Sequence, residues 1–499
     1  MYDYIIIGSG YGGVSAAGLL AKKGFSTLIL ESHITIGGCA SFFKRKGFTF
    51  DAGATTLSGV LDHQPLGRLF NKLEIKPNLK KLEPGMIIHI NDKKITRYAD
   101  KNKWIKESSK MFGIDQKDFW DKIYDLENKS WDLIANNYRL PPRNIVDLIC
   151  LAKPSNLKYI PLIPGLIQPV SKLLKKYGLD RNKEFIQFID EQLLISTQNI
   201  SNQSPYLTSA IGLAYPSETY YPYGGITKPL DLVLNYSKAK GNEIKFKEKV
   251  TLIERKKDFY QVTTQRGNIY TAKGIISNIP IWNMINICND TDIKNYFIDQ
   301  AESFKSSWGA FTLYFAIENN FPIETAYYQI HSRKNLPYSS GKSFFVSFSL
   351  DDDYEKSPEG YRTVTISTHV NVSDWENIDE IEYERRKQAL ENAILDDFDY
   401  YFPQAKTTEK LFVNSGTPNT FEFFTKRYRG FVGGIPHSIK KNVLQLTPNV
   451  TPFDNFYLVG DTVFPGQGTP SVVLGSLNVV ERIKDEGRNP INKPSLIIH

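Results

Sequence analysis

Residues 8–13 read Gly8-Ser-Gly10-Tyr-Gly-Gly13, and Glu31 follows at the end of the next apolar run. Gly8 permits a tight turn, Gly10 lets the main chain approach a pyrophosphate, and Gly13 lets a helix lie close on a strand. The helix that follows presents free N–H groups and the positive end of its dipole to phosphate charge. The Glu31 carboxylate can accept both hydroxyls of an adenosine ribose and would repel a 2′-phosphate. The flanking pattern supplies the elements this chemistry needs. Residues 3–7 predict a strand, 14–23 a helix closed by Gly24, and 26–30 a second strand ending at Glu31. That is a complete βαβ unit.

Later residues select the dinucleotide. Gly37-Gly38 lets the chain pass tightly along a pyrophosphate and ribityl chain, and Phe50-Asp51-Ala-Gly53-Ala-Thr55-Thr56 resembles a segment leading into a flavin site. Far downstream, the apolar run 456–459 leads into Gly460-Asp461, then Pro465-Gly466-Gln467-Gly468-Thr469-Pro470 and a helix to about residue 483. Asp461 can bind ribityl hydroxyls. Thr469 reads as the N-cap and Pro470 as the first helical position. Such a helix aims its positive end at the flavin N1/C2=O edge, where charge gathers on reduction.

Together these residues resemble the carotenoid desaturase, carotenoid isomerase and retinol saturase family of FAD-dependent oxidoreductases. Tyr221-Pro222-Tyr-Gly224-Gly225-Ile226 is similar to the family's return into the FAD domain, and 241–250 with 272–278 to the strands that complete it. The resemblance implies that the backbone of Val250 meets the adenine. It covers residues 3 to about 484, with weak motifs over 75–215 and 286–440. Related amine oxidases usually carry an Arg after the glycine pair, and some bind flavin through a cysteine near the C-terminus. Here Cys39 follows the pair and no cysteine lies beyond Cys288, which favours noncovalent FAD. Cys39 itself, with no partner cysteine nearby, reads as a packed thiol.

The implied fold class is α/β: a Rossmann-type FAD-binding domain with an inserted α+β substrate domain and a helical lid. Residues 1–85, 221–285 and 440–499 are expected to form the FAD domain. Residues 86–220 would form the lid, and 286–439 a substrate-binding sheet. A chain of 499 residues, 41% hydrophobic and 23% charged, is too long for one ordinary domain and too apolar to be disordered. Three scattered cysteines form no disulfide framework or metal cluster and fit a reducing compartment. No basic leader precedes the first strand, so a cytoplasmic protein beginning near Met1 is expected.

The net charge of +7 is concentrated in one place. Residues 139–183 hold nine basic side chains against Asp147 and Asp180, around the apolar, proline-rich run 159–170. This run is too short to span a bilayer, which needs about 20 apolar residues. An apolar patch ringed by cations fits a peripheral membrane surface of anionic lipid. No nucleic-acid motif accompanies the charge, and a lid packed on its own domain is the plainer alternative.

The resemblance implies a long apolar polyene as substrate, with carotenoid desaturation as the first reading. Isomerisation using reduced FAD comes second, and a retinol-saturase-like reduction third. Outside catalysis, FAD could simply stabilise a protein that serves a membrane partner. Desaturation couples hydride loss to loss of a proton from the adjacent carbon, yet the residues assign no catalytic group and no metal site. His369 reads as a core histidine and Asp351-Asp352-Asp353 as a solvated turn. The Tyr220–Tyr223 and Tyr327-Tyr328 stretches read as channel wall or aromatic core.

Overall fold

The computed structural model describes residues 1–488; the segment 489–499 assigned above to the FAD domain lies outside the described residues. At the centre is β1 (Tyr2–Ile7), paired in parallel with β2 (Thr27–Leu30) on one side and the strand Ile269–Ser277 on the other. Both of its faces are covered, which is why these strands read as unbroken apolar runs. The strand Phe456–Leu458 lies parallel to Ile269–Ser277, with Phe456 opposite Ile275. The hairpin strands Val250–Arg255 and Tyr260–Thr264 extend one side, and Glu243–Lys245 closes the other beside β2. Helix α1 (Tyr11–Lys22) packs on the sheet with the helices Thr227–Ala239 and Thr469–Arg488. The result is a Rossmann-type fold built from distant parts of the chain.

A second sheet of seven strands runs in the order Leu411–Gly416, Gly309–Glu318, Tyr361–Val370, Ser343–Phe348, Tyr327–His331, Met86–Ile90, Lys93–Arg97. The last two strands correct the expectation that 86–220 is a helical lid from its start. Met86–Ile90 lies parallel to Tyr327–His331, with Ile87 opposite Tyr328. Its Met86, Ile87, Ile88 and Ile90 are buried, a demand that sheet pairing meets. Helical structure begins only at Lys101–Phe112 and continues through Lys117–Asn136, Lys183–Thr197 and Tyr206–Ala214. On the other face of the sheet, the helix Glu380–Tyr401 buries Leu390, Ile394 and Phe398 against Phe315 and Phe348.

Two buried charge clusters join these parts. Asp51 accepts the Ile226 N–H at 3.0 Å and pairs with Lys356 Nζ at 2.7 Å, the two side chains being 1% and 5% exposed. Asp147, fully buried, takes Arg139 at 3.0 Å and two bonds from Arg482, tying the lid to the last helix. Arg139 also reaches Asp485 at 2.8 Å, while Arg143 donates to the Leu446 carbonyl. These two arginines therefore do not belong to the exposed basic ring expected over 139–183. Lys153, Lys158, Lys172, Lys175, Lys176, Arg181 and Lys183 are exposed. Of Asp351–Asp353, the first two stand in an exposed turn as expected, but the third does not. Asp353 is buried and accepts Tyr221 Oη at 2.6 Å and the Gly224 N–H, while Asp351 holds the buried Arg362 at 3.0 Å.

Candidate functional site

The turn from β1 into α1 is shaped by its glycines. Gly8 has φ +90°, and a Cβ on Gly13 would stand 2.2 Å from the Gly8 carbonyl oxygen, so the helix rests directly on the turn. Gly10 caps α1 with no side chain accepting from the first turn, which leaves those N–H groups for an anion. Gly37, at φ +110°, gives its N–H to the Ser9 carbonyl at 3.0 Å and bridges Gly10. Gly38 follows beside Gly10. Thus two glycine segments read separately in the sequence form one backbone cradle.

The C-terminal motif meets them there. The space a side chain on Gly12 would need is filled by Asn278 and the Gly460 backbone. Asn278, which follows the strand Ile269–Ser277, was not singled out as a site residue. It touches the Gly10, Gly12 and Gly460 positions and lines the cavity. Asp461 is held by Arg427, whose Nη2 donates to Oδ1 at 3.1 Å and Oδ2 at 2.8 Å. Arg427, also missed, lies in a stretch without recognisable motif and reaches the site only through the fold. Beside it, burial pushes the Cys39 thiol upward while the Arg427 charge opposes that rise, and Cys39 is a half-buried thiol on the cavity wall.

A cavity of about 1360 Å³ joins this cradle to the second sheet and the lid. Gly8, Gly10, Glu31, Gly37, Gly38, Gly460, Asp461, Gln467, Gly468 and Thr469 line it. Gly13, Val250 and Gly466 do not. Gly13 lies in the first turn of α1 against the Gly8 carbonyl, and Gly466 abuts the His437 ring. Val250 is buried at the start of its strand, in one apolar cluster with Ile7 and Leu30, and the nearby Glu248 N–H donates to the Glu31 carbonyl at 2.8 Å. Gln467 turns its amide to the lid, donating to the Ser196 carbonyl and accepting from Gln198 at 3.1 Å. Thr469 is the first helical residue, not the cap: the helix spans Thr469–Arg488, and the Val472 N–H donates to the Gly468 carbonyl. Gly468, at φ +89°, takes the cap position.

Glu31 is more committed than its spacing suggests. Its Oε2 accepts the Ser9 N–H at 2.8 Å and Ser9 Oγ at 2.6 Å, and Oε1 accepts the His33 N–H at 2.7 Å. The carboxylate pins the ends of two loops while facing the cavity.

Of the groups weighed for catalysis, His369 is not plain core. It lines the cavity edge-on to Trp308 at 4.6 Å, and burial holds its imidazole down to about 4, neutral near pH 7. Tyr220, Tyr221, Tyr223, Tyr327 and Tyr328 are absent from the wall; Tyr221 and Tyr327 pack as buried aromatics.

The donor set fits a dinucleotide carrying a polyhydroxylated chain: uncapped N–H groups for a diphosphate, Arg427 as a buried cation, and Glu31 and Asp461 as acceptors for hydroxyls. A single motif, however, would not distinguish flavoproteins from other nucleotide binders, and the whole chain does. The model of the flavin-containing amine oxidoreductase family matches residues 11–484. Prolycopene isomerase 1 of an Oncidium hybrid cultivar is 27% identical, over 97% of this chain and 84% of its own. Phytoene desaturase of Fusarium fujikuroi is 25% identical, over 97% and 89%. In fold, an oxidoreductase from Methanosarcina mazei aligns with TM-score 0.63 at 18% identity, over 96% and 99%. Cradle, cavity and full-length match agree that this chain is an FAD-dependent oxidoreductase of the flavin-containing amine oxidoreductase family.

Proposed function

We propose that the protein acts on a long apolar polyene, with desaturation of a carotenoid as the first reading. The observation that carries this is the single continuous cavity, which runs from the dinucleotide cradle to apolar lid residues such as Leu162 and Leu166. FAD, held noncovalently, would supply the two-electron partner for a hydride of the polyene. Glu31 and the α1 N-terminus would hold its adenosine and diphosphate, with Val250 nearby. Asp461, Gln467 and Thr469 would hold the flavin end, and the lid would exclude water. The likeness to a prolycopene isomerase over 97% of the chain favours a second reading, cis–trans isomerisation with reduced FAD. Purified protein given a carotenoid precursor separates the two. Desaturation lengthens the absorption spectrum without added reductant; isomerisation needs reductant and leaves the mass unchanged. No change with any polyene overturns both.

Glu31→Gln is expected to weaken FAD retention by about 1–2 kcal/mol, roughly tenfold, as charge-assisted hydrogen bonds become neutral. Ser9→Ala should spare retention, because it frees a lone pair of Glu31 for a ribose hydroxyl. Equal losses in the two variants by FAD titration would show that Glu31 acts only by pinning its loops.

The polyene would arrive from a bilayer through the lid. Among the described residues no helix is long and apolar enough to cross a membrane. Leu148, Ile149, Leu157, Ile160, Ile163 and Ile167 nevertheless stand between 45% and 65% exposed, beside the exposed lysines. Ile160 and Ile163 also line the cavity. Each cation near an anionic surface contributes about 1 kcal/mol. Lys172→Glu, Lys175→Glu and Lys176→Glu together should therefore loosen attachment to anionic liposomes well beyond about tenfold. Equal flotation of parent and variant would leave the lid as a self-packed cover.

A further inference from the structure

We propose that the polyene bound here carries an oxygen function, a hydroxyl or a carbonyl, at the end that reaches Glu127. This rests on the polyene reading above and names the substrate more closely. Glu127 lies in the helix Lys117–Asn136, 9% exposed, on the cavity wall that also carries Met86, Ser130, Trp131, Leu133, Ile134 and Glu218. Its Oε1 takes a long bond from Trp131 Nε1 at 3.3 Å, and its Oε2 has no partner among the described residues. The charges nearby are engaged elsewhere. Arg97 donates to Tyr124 Oη at 3.3 Å and the Leu213 carbonyl at 3.0 Å, and its guanidinium lies 4.0 Å from the Trp104 ring centre. Glu218 is paired with Lys81 at 3.0 Å.

Once an apolar ligand displaces water from the cavity, an unpaired carboxyl oxygen there is costly unless the ligand itself satisfies it. A hydrocarbon end cannot do so. Burial raises the Glu127 carboxyl, the Trp131 bond opposes it, and Glu218 and Arg97 push in opposite senses, leaving it at about 7. Near neutrality both forms are present. The acid donates one hydrogen bond and so matches a carbonyl oxygen; the carboxylate only accepts and so matches a hydroxyl. Among the other acids on the wall, Glu191 differs: it already accepts the Lys342 N–H at 2.9 Å and Ser343 Oγ at 2.7 Å, and so joins lid to sheet.

The test uses the FAD-loaded protein and three polyenes of equal length in detergent micelles, ending in a methyl, a primary alcohol or an aldehyde. Binding is read from quenching of tryptophan emission. The alcohol and aldehyde should bind about tenfold more tightly than the hydrocarbon at pH about 6, a typical effect of leaving a buried polar group unpaired. Aldehyde binding should fall as pH rises through about 7 while alcohol binding persists, because ionised Glu127 no longer donates. Glu127→Leu should abolish the preference and leave the hydrocarbon unaffected. Glu127→Gln, whose amide donates at every pH, should keep aldehyde binding and remove its pH dependence. Equal binding of all three probes by the parent, or an equal loss of all three in Glu127→Leu, overturns the proposal. Binding of none by the parent overturns the polyene reading with it.

Discussion

Lys356→Met is expected to lower the free energy of unfolding by about 3–5 kcal/mol, the usual result of stranding one member of a buried ion pair. Asp51 and Lys356 are almost wholly inaccessible and 2.7 Å apart, so water cannot replace the lost ammonium. The remaining acceptor role of Asp51 toward Ile226 would hold the bare carboxylate in place. Adding Asp51→Asn should recover most of the loss, since an amide keeps an acceptor for the Ile226 N–H without the charge. Denaturant titration of the single and double variants measures this. A double variant no more stable than Lys356→Met would show that the lysine contributes by packing.

Asp461→Ala is expected to retain FAD yet lose on the order of a hundredfold in turnover, the scale of rate loss for a displacement of about 1 Å at a reacting centre. Arg427 sharpens the prediction. Because its guanidinium is bonded to Asp461, Arg427→Met should reproduce part of the loss by releasing the carboxylate. Full turnover of Asp461→Ala with an unchanged flavin spectrum would remove the residue from the site.

Local chemistry was legible in the sequence; distant pairing was not. The β1–α1–β2 unit could be read because Gly8, Gly13 and Glu31 act within one short stretch, where each residue type answers a nearby steric or electrostatic demand. Cap placement failed by one residue at Thr469, because Thr and Gly both serve as caps and only the backbone decides between them. Met86–Ile90 was assigned to the lid because its partner, Tyr327–His331, lies far along the chain. Arg427 and Lys356 carry no local signature at all. Each acquires its role from an acid that the fold brings to it. Asp353 misled for the converse reason: a run of three acids resembles a hydrated loop until Tyr221 and Gly224 arrive to bond one of them.

The strand Phe456–Leu458 beside Ile269–Ser277 has a consequence for the order of events during synthesis. The central sheet and the cofactor cradle cannot close until residues near 470 have emerged. At about 5–20 residues per second the ribosome needs on the order of 20–90 s to pass from the first glycine turn to them. Until then the faces that Val473 and Leu477 will cover are open, and pairing across so long a loop is slow. Cofactor capture is therefore a late step of biogenesis, and the nascent chain is a natural client for chaperones.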